Sequence, residues 1–237
     1  MSVPFQFKQF TIKQDRCAMK VGTDGVLLGA WTPVEHQPFS ILDIGAGTGL
    51  IALMLAQRTH AEIIDALEVN PDSYEQCVEN FEASSWNDRL FCYHASLEEF
   101  VQEVDDTYDL IVSNPPFYTE TYTSGDKARD IARQQQSMPP EELFHAVSKL
   151  LAPNGVFSII IPYKDQDHIL QIASQYALYS FKITNVRGTP QSAFKRSLLA
   201  FSHQQREIEK TTLTIETERH KYTNEYCDLT RDFYLKM

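Results

Sequence analysis

Short apolar runs alternate with longer amphipathic stretches through the middle of the chain. Ser40–Ile44 (SILDI), Ile63–Leu67 (IIDAL), Leu90–Tyr93, Leu110–Ser113 (LIVS) and Val156–Ile161 (VFSIII) are four to six residues long and largely apolar. Such runs predict strands buried on both faces. Between them, Gly49–Gln57, Pro71–Ala83, Leu97–Glu103 and Pro140–Leu151 show helical patterns. Strands alternating with helices of this length predict βαβ units, and so a parallel sheet covered on both sides. Beyond Ile161 a helix is expected around Gln166–Tyr176, followed by strand-like stretches at Phe181–Val186 and Ser197–Ser202. The last pair is expected to form an antiparallel edge on an otherwise parallel, doubly wound sheet. Asn154-Gly155, just before VFSIII, is a turn signal. No repeat, low-complexity tract or Pro/Gly/Ser linker divides the sequence. One domain over residues 1–237 is expected, with a core at 36–203 and extensions at 1–35 and 204–237.

Composition adds exclusions. With 43% hydrophobic and 22% charged residues, the chain reads as globular rather than disordered or fibrous. No run approaches the roughly 18 to 20 apolar residues of a membrane-spanning helix. The opening MSVPFQFKQF lacks the apolar stretch of a signal peptide, so a cytoplasmic location is expected. Four cysteines without a CxxC pair, and histidines at no zinc-ligand spacing, predict reduced thiols and no metal site.

The net charge of −11 is unevenly spread. Residues 60–110 hold fourteen acids against one basic residue, Arg89, and the remainder of the chain is close to neutral. Lys8, Lys13, Arg16 and Lys20 gather near the start against Asp15, and Arg187, Lys195 and Arg196 form an acid-free basic cluster. A polyanion therefore has one side from which to approach an acidic protein.

Six of the nine glycines lie between Gly22 and Gly49. The central element is ILDIGAGTGL, Ile41–Leu50: a strand, then Asp43, Gly45, Gly47 and Gly49, then a helix. A dinucleotide fingerprint would place the third glycine one residue later. Asp43, two residues before the first glycine, suits a cofactor with no pyrophosphate and a cationic amino-acid portion, as in S-adenosylmethionine. Glu68, 23 residues after Gly45, stands where a carboxylate accepts from ribose hydroxyls.

At the end of the fourth strand stands DLIVSNPPF, with Asn114, Pro115, Pro116 and Phe117. An exocyclic amine conjugated to a purine is a poor nucleophile because its lone pair is delocalised. The Asn114 side-chain oxygen and the Pro115 carbonyl are placed to accept from its hydrogens and favour the pyramidal form. Phe117 is suited to stack on the ring and hold it in line.

These motifs resemble those of class I S-adenosylmethionine-dependent methyltransferases that methylate amino groups. With KVGTDGVLLGAW (Lys20–Trp31), KRSLLAFSH (Lys195–His203) and the closing YTNEYCDLTRDFYLKM (Tyr222–Met237), the chain is similar more narrowly to the bacterial tRNA(Val) adenine-N6 methyltransferase family. The resemblance implies a Rossmann-like α/β fold, a tRNA substrate, no membrane or metal partner, and a monomer. It implies that Asp43, Gly45, Gly47 and Gly49 cradle the methionyl part of the cofactor and that Glu68 holds its ribose. Lys20 and Thr23 belong to a segment closing over the cofactor, within an N-terminal extension facing cofactor and RNA. Asn114, Pro115 and Phe117 receive the adenine, Asn114 at the boundary with the cofactor. Related enzymes often carry an acid after the third strand for the cofactor's adenine amine; here the chain reads His94-Ala95-Ser96, leaving Ser96 or a backbone group to substitute. Lys127, Arg129 and Arg133 in Tyr118–Gln136 are candidates for phosphate contacts. The tetrapeptide leaves other substrates open: guanine N2 in ribosomal RNA, adenine in DNA, or a protein glutamine. A silent RNA-binding scaffold is the alternative outside enzymes.

Overall fold

A computed structural model describes residues 3–17, 19–116 and 138–237. Its centre is an eight-stranded sheet. In chain order the strands are β3 (Ser40–Ile44), β4 (Ile63–Leu67), β5 (Leu90–Tyr93), β6 (Tyr108–Ser113), β7 (Leu151–Pro162), β8 (Tyr179–Arg187), β9 (Arg196–Ser202) and β10 (Glu209–Thr214). Their spatial order is β10-β8-β9-β7-β6-β3-β4-β5. Every pairing is parallel except those of β9 with β7 and β8. The antiparallel strand thus lies inside the sheet, not at its edge as expected. The rim beyond β8 is supplied by β10, a mostly exposed strand with too little apolar patterning to be found by periodicity.

Side chains alternate between the faces as a two-residue period requires. Ile41, Ile64, Leu110, Val112, Val156 and Leu198 join one apolar cluster. Leu42, Ile44, Leu67, Ile111, Phe157 and Leu199 join the other. The first face is covered by α1 (Thr23–Trp31), α2 (Leu50–Arg58) and α3 (Pro71–Glu82), the second by α4 (Leu97–Glu103), α5 (Pro140–Leu150) and α6 (Gln166–Gln175). Turn-forming Asn154-Gly155 falls within β7, where pairing jumps from Tyr108↔Leu151 to Leu110↔Val156. The surplus residues there form an irregularity instead of a turn between elements.

Helix α1 buries seven of its nine residues. It lies so close to α2 that a Cβ on Gly29 would stand 2.7 Å from Met54 Sδ. Glycine lowers helix propensity, so only this close packing makes the segment helical.

The two ends of the chain meet on the α1/α2 face. Short strands β1 (Phe5–Gln6) and β2 (Thr11–Ile12) pair with each other, and Phe7 bridges to Tyr234. Phe7 stacks on Tyr234 at 5.8 Å and on Phe10 at 4.7 Å. A hairpin of β11 (Glu216–Glu218) and β12 (Lys221–Tyr222) leads into α7 (Asn224–Thr230). Thr223 caps α7: its hydroxyl accepts from Tyr226 N at 3.2 Å and donates to the Thr214 carbonyl. Thr223→Ala is expected to cost about 0.5–2 kcal/mol, the usual range for losing such a cap. Calorimetry should show a melting temperature a few degrees lower, with affinity for S-adenosylmethionine unchanged.

Candidate functional site

The carboxyl ends of β3, β4 and β6 share one edge of the sheet because these strands run parallel. Ile44 lies opposite both Leu67 and Ser113, so Gly45 is flanked by Glu68 on one side and Asn114 on the other. This register brings together three residues predicted separately from sequence. Ser113 Oγ donates to the Ile44 carbonyl at 2.9 Å, fixing the two strand ends to each other.

Gly45, Gly47 and Gly49 all adopt positive φ, at 75°, 57° and 76°. Gly45 N and Ala46 N donate to the Leu67 carbonyl at 3.0 and 2.9 Å, turning the loop sharply over the end of β4. A Cβ added to Gly45 or Gly47 would meet nothing within 4 Å. The backbone there borders open space that a side chain would fill.

Glu68 is buried and held at both oxygens. Oε2 accepts from Gly47 N at 2.8 Å and Oε1 from Asn70 N at 2.8 Å. A carboxylate has about four acceptor positions, so two remain for ribose hydroxyls. Asn70 in turn caps α3 by accepting from Ser73 N at 2.9 Å.

Asp43 lies beneath the loop with 0% exposure. Its Oδ2 accepts from Ala52 N at 3.1 Å, while Oδ1 has no partner among the described residues. Burial pushes its pKa up to about 7; the Ala52 N–H opposes that rise and the nearby Glu68 charge adds to it. An orphaned buried acceptor, an open glycine cradle and a ribose-competent carboxylate together fit a cofactor with a cationic amino-acid end and a nucleoside.

The segment before α1 is strapped onto α3. Asn80 Oδ1 accepts from Lys13 N, and its Nδ2 donates to the carbonyls of Lys13 and Thr48 at 3.0 and 2.8 Å. Gln76 accepts from Asp15 N and Arg16 N, and Gln14 from Val21 N. Asn80 thereby joins the N-terminal segment to the glycine loop, Gln76 ties the segment to α3, and Gln14 braces it internally. Sequence reading missed them, although for Gln76 and Asn80 polar residues on the buried face of an otherwise amphipathic helix were the available signal. Arg16 pairs with Glu75 and Glu79, and Lys13 with Glu79. Two of the N-terminal basic residues are therefore engaged by the acidic stretch. Lys20 and Thr23 are exposed at the rim, Thr23 opening α1.

Asn114, Pro115 and Pro116 are half-buried at the end of β6, while Phe117 and the 118–136 segment lie outside the described residues. A cavity of about 280 Å³ adjoins the tetrapeptide, lined by Pro115, Pro116, Leu143, Phe144, Ile159 and His168 among others. Its mostly apolar wall suits a ring better than a phosphate.

Ser96 is used structurally. Its hydroxyl donates to Glu99 Oε2 at 2.7 Å and accepts from Glu99 N at 3.2 Å, a reciprocal cap on α4. The Ser96 N–H and hydroxyl hold Glu99 below the usual carboxylate range. Nearer the end of β5, His94 stacks on Tyr74 at 5.2 Å and bonds the Val69 carbonyl at 3.1 Å. Among the described residues no group of three or more His, Cys, Asp or Glu is disposed to hold a metal ion. No helix among them is long and apolar enough to cross a membrane.

Comparison with known proteins agrees with this geometry. Residues 27–170 match the methyltransferase small domain family. A tRNA1(Val) (adenine(37)-N6)-methyltransferase of Flavobacterium johnsoniae is 64% identical over 98% of this chain and 100% of its own length. One of the same name from Bacteroides fragilis is 46% identical over the full length of both. Among solved structures, a predicted O-methyltransferase of Agrobacterium tumefaciens superposes with a TM-score of 0.68. It is 18% identical and the match covers 89% of this chain and 96% of that one, a likeness of fold.

Proposed function

The chain belongs to the methyltransferase small domain family, and from that footing we propose that it transfers a methyl group from S-adenosylmethionine to N6 of adenine 37 in the anticodon loop of tRNA(Val). The observation that carries the chemistry is the register of β3 against β6, which sets the glycine loop beside Asn114. The substrate rests on relatives of that name, 46–64% identical over nearly the whole chain. Guanine N2 would meet the same tetrapeptide, and the substrate test below separates the two.

S-adenosylmethionine supplies an electrophilic methyl on a sulfonium that is its own leaving group, so the chemistry asks for no metal ion. Asp43, with Gly45, Gly47 and Gly49, holds the cationic amino-acid end, Glu68 takes the ribose hydroxyls, and Lys20 and Thr23 cover the site from the rim. The Asn114 oxygen and the Pro115 carbonyl accept the two amine hydrogens, localising the nitrogen lone pair toward the methyl. Phe117 stacks on the adenine ring and restricts it to the line of attack. A base in an anticodon loop is partly unstacked already, so presenting it costs less than flipping one from a duplex. On this reading the protein acts in the cytoplasm as a monomer.

The test is a pair of tRNA(Val) transcripts carrying adenine or guanine at position 37, each incubated with labelled S-adenosylmethionine. Methylation confined to the adenine transcript is expected. Labelling of the guanine transcript alone would point to guanine N2, and equal labelling of both would show that adenine at position 37 is not required.

Asp43 makes the cofactor affinity depend on pH. Its pKa is raised to about 7 in the folded chain without cofactor. A cationic ligand favours the ionised form, so affinity should strengthen as pH rises through about 7. Stability should run the other way. The folded chain holds this proton more tightly than the unfolded one, so the protonated carboxyl stabilises it at acid pH. That contribution is lost as pH rises from about 4 through about 7. Asn keeps the oxygen that accepts from Ala52 but carries no charge. Asp43→Asn should therefore bind the cofactor on the order of tenfold more weakly at pH 8 and flatten both profiles. Calorimetric titration between pH 6 and pH 8 and melting between pH 4 and pH 8 would check both; an unchanged affinity profile would remove Asp43 from the cofactor site.

A further inference from the structure

The basic cluster noted in the sequence, Arg187 with Lys195 and Arg196, is unused by the site described above. The fold carries it to the same sheet edge. β7 and β8 run parallel to β3 and end there, and antiparallel β9 begins there. Two backbone bonds gather the cluster: Tyr163 N donates to the Lys195 carbonyl at 3.1 Å, and Lys195 N to the Val186 carbonyl at 2.8 Å. The result is a small aromatic and cationic surface. The rings of Tyr163 and Phe194 lie 5.2 Å apart, and the Arg187 guanidinium carbon lies 5.7 Å from the centre of the Phe194 ring.

This surface is preorganised. Arg187 Nε donates to Thr214 Oγ1 and Nη1 to the Pro190 carbonyl, both at 2.9 Å. The loop carrying Phe194 is braced between Thr189 and Ser192, whose side chains bond each other at 2.6 Å. Tyr163 is 39% exposed and Lys195 is exposed. Asp24, an acid at this edge, is paired with Arg196 at 2.8 Å.

The distance is suitable as well. Ser113 lies opposite Ile159, so Tyr163, the residue directly after β7, stands three residues beyond the position opposite Asn114. At about 3.3 Å per residue that is roughly 10 Å along the strand, within reach of a nucleotide close to the target.

We propose that Tyr163 and Phe194 form a stacking platform for a base of the single-stranded anticodon loop next to the methylated adenine, with Arg187 and Lys195 facing its phosphates. The proposal rests on the tRNA reading given above. Stacking on aromatic rings is how proteins hold unpaired bases, and lysine or arginine beside the ring meets the backbone charge.

The experiment is fluorescence anisotropy with a labelled anticodon stem-loop of tRNA(Val), combined with steady-state methylation of the full tRNA. Tyr163→Ala and Phe194→Ala should each raise the Kd for RNA about tenfold, within the range found for losing one stacked base. KM for tRNA should rise similarly while kcat and the S-adenosylmethionine Kd stay within about twofold. Tyr163→Phe and Phe194→Trp, which keep a stacking ring, should restore binding to within about twofold of wild type. Should Phe194→Ala fail to fold, the Tyr163 pair decides the matter. Wild-type RNA affinity in Tyr163→Ala, or equal losses in Tyr163→Ala and Tyr163→Phe, would overturn the platform while leaving the methyltransferase reading intact. A wild-type protein that neither binds nor methylates tRNA would overturn that reading, and the platform with it.

Discussion

Asn114→Ala is expected to slow methyl transfer a hundred- to a thousandfold while leaving affinity for S-adenosylmethionine within about twofold. The magnitude is that of removing one oriented hydrogen-bonding group from a reacting centre. The separation of effects follows from the fold. The cradle proposed for the cofactor is built by β3, β4 and their loops, through Leu67, Glu68 and Gly47. Asn114 belongs to the neighbouring strand end, and its half-buried side chain is outside those bonds. Asn114→Asp, which keeps an acceptor at the same atom, should retain more of the rate than alanine does. Single-turnover kinetics with saturating cofactor would measure this. Parallel loss of cofactor binding and of rate would return Asn114 to a structural part.

Gly49→Ala should be the most damaging single change in the glycine loop. At φ 76° an alanine meets the left-handed penalty of about 1–2 kcal/mol. Its Cβ would also stand 2.5 Å from Phe81 Cε1 and 2.9 Å from Cys77 Sγ. Both neighbours are buried, Cys77 completely, so neither has space to withdraw. Overpacking of this kind adds about 1–3 kcal/mol. Together these come to about 2–5 kcal/mol, a large share of the roughly 5–15 kcal/mol that holds a domain folded. Gly47→Ala is the informative contrast. It pays the same backbone penalty but meets nothing within 4 Å. It should fold with a loss of about 1–2 kcal/mol yet bind the cofactor at least tenfold more weakly, because the new methyl lies in the cradle. Thermal melts and calorimetric titration of the two variants would show one failing in stability and the other in binding.

The core of the fold was legible because a parallel sheet buries both faces of its strands and leaves near-continuous apolar runs. SILDI and IIDAL begin and end where the structure has β3 and β4. Helix α1 has no helical signature in the pattern, where only Lys20–Asp24 stands out as a segment closing over the cofactor, since Gly25 and Gly29 disguise a helix whose stability comes from contact with α2. Strand β10 escaped for the opposite reason: as an exposed rim strand it has little to bury. The interior position of β9 is a matter of long-range pairing, on which local pattern is silent.

The site divides in the same way. Asp43, Glu68 and Asn114, whose proposed roles follow from the chemistry of their side chains, could be named from the motifs alone. Asn80 and Gln76 act by satisfying backbone groups of a distant segment, and only the packed structure brings those groups within reach. Ser96 illustrates the converse. Its position after β5 suggested a contact to the cofactor, whereas Ser96-Leu97-Glu98-Glu99 also spells a capping box, and the structure uses it as one.

The central claim is that this chain methylates N6 of an adenine in tRNA, with Asn114 receiving the amine. The measurement that tests it most directly is methyl transfer from S-adenosylmethionine to unmodified bulk tRNA, followed by mass spectrometry of the digested nucleosides. N6-methyladenosine formed by the wild-type chain and absent with Asn114→Ala is the predicted result. 2-Methylguanosine in its place, or no methylated nucleoside from a protein shown to bind S-adenosylmethionine, would contradict it.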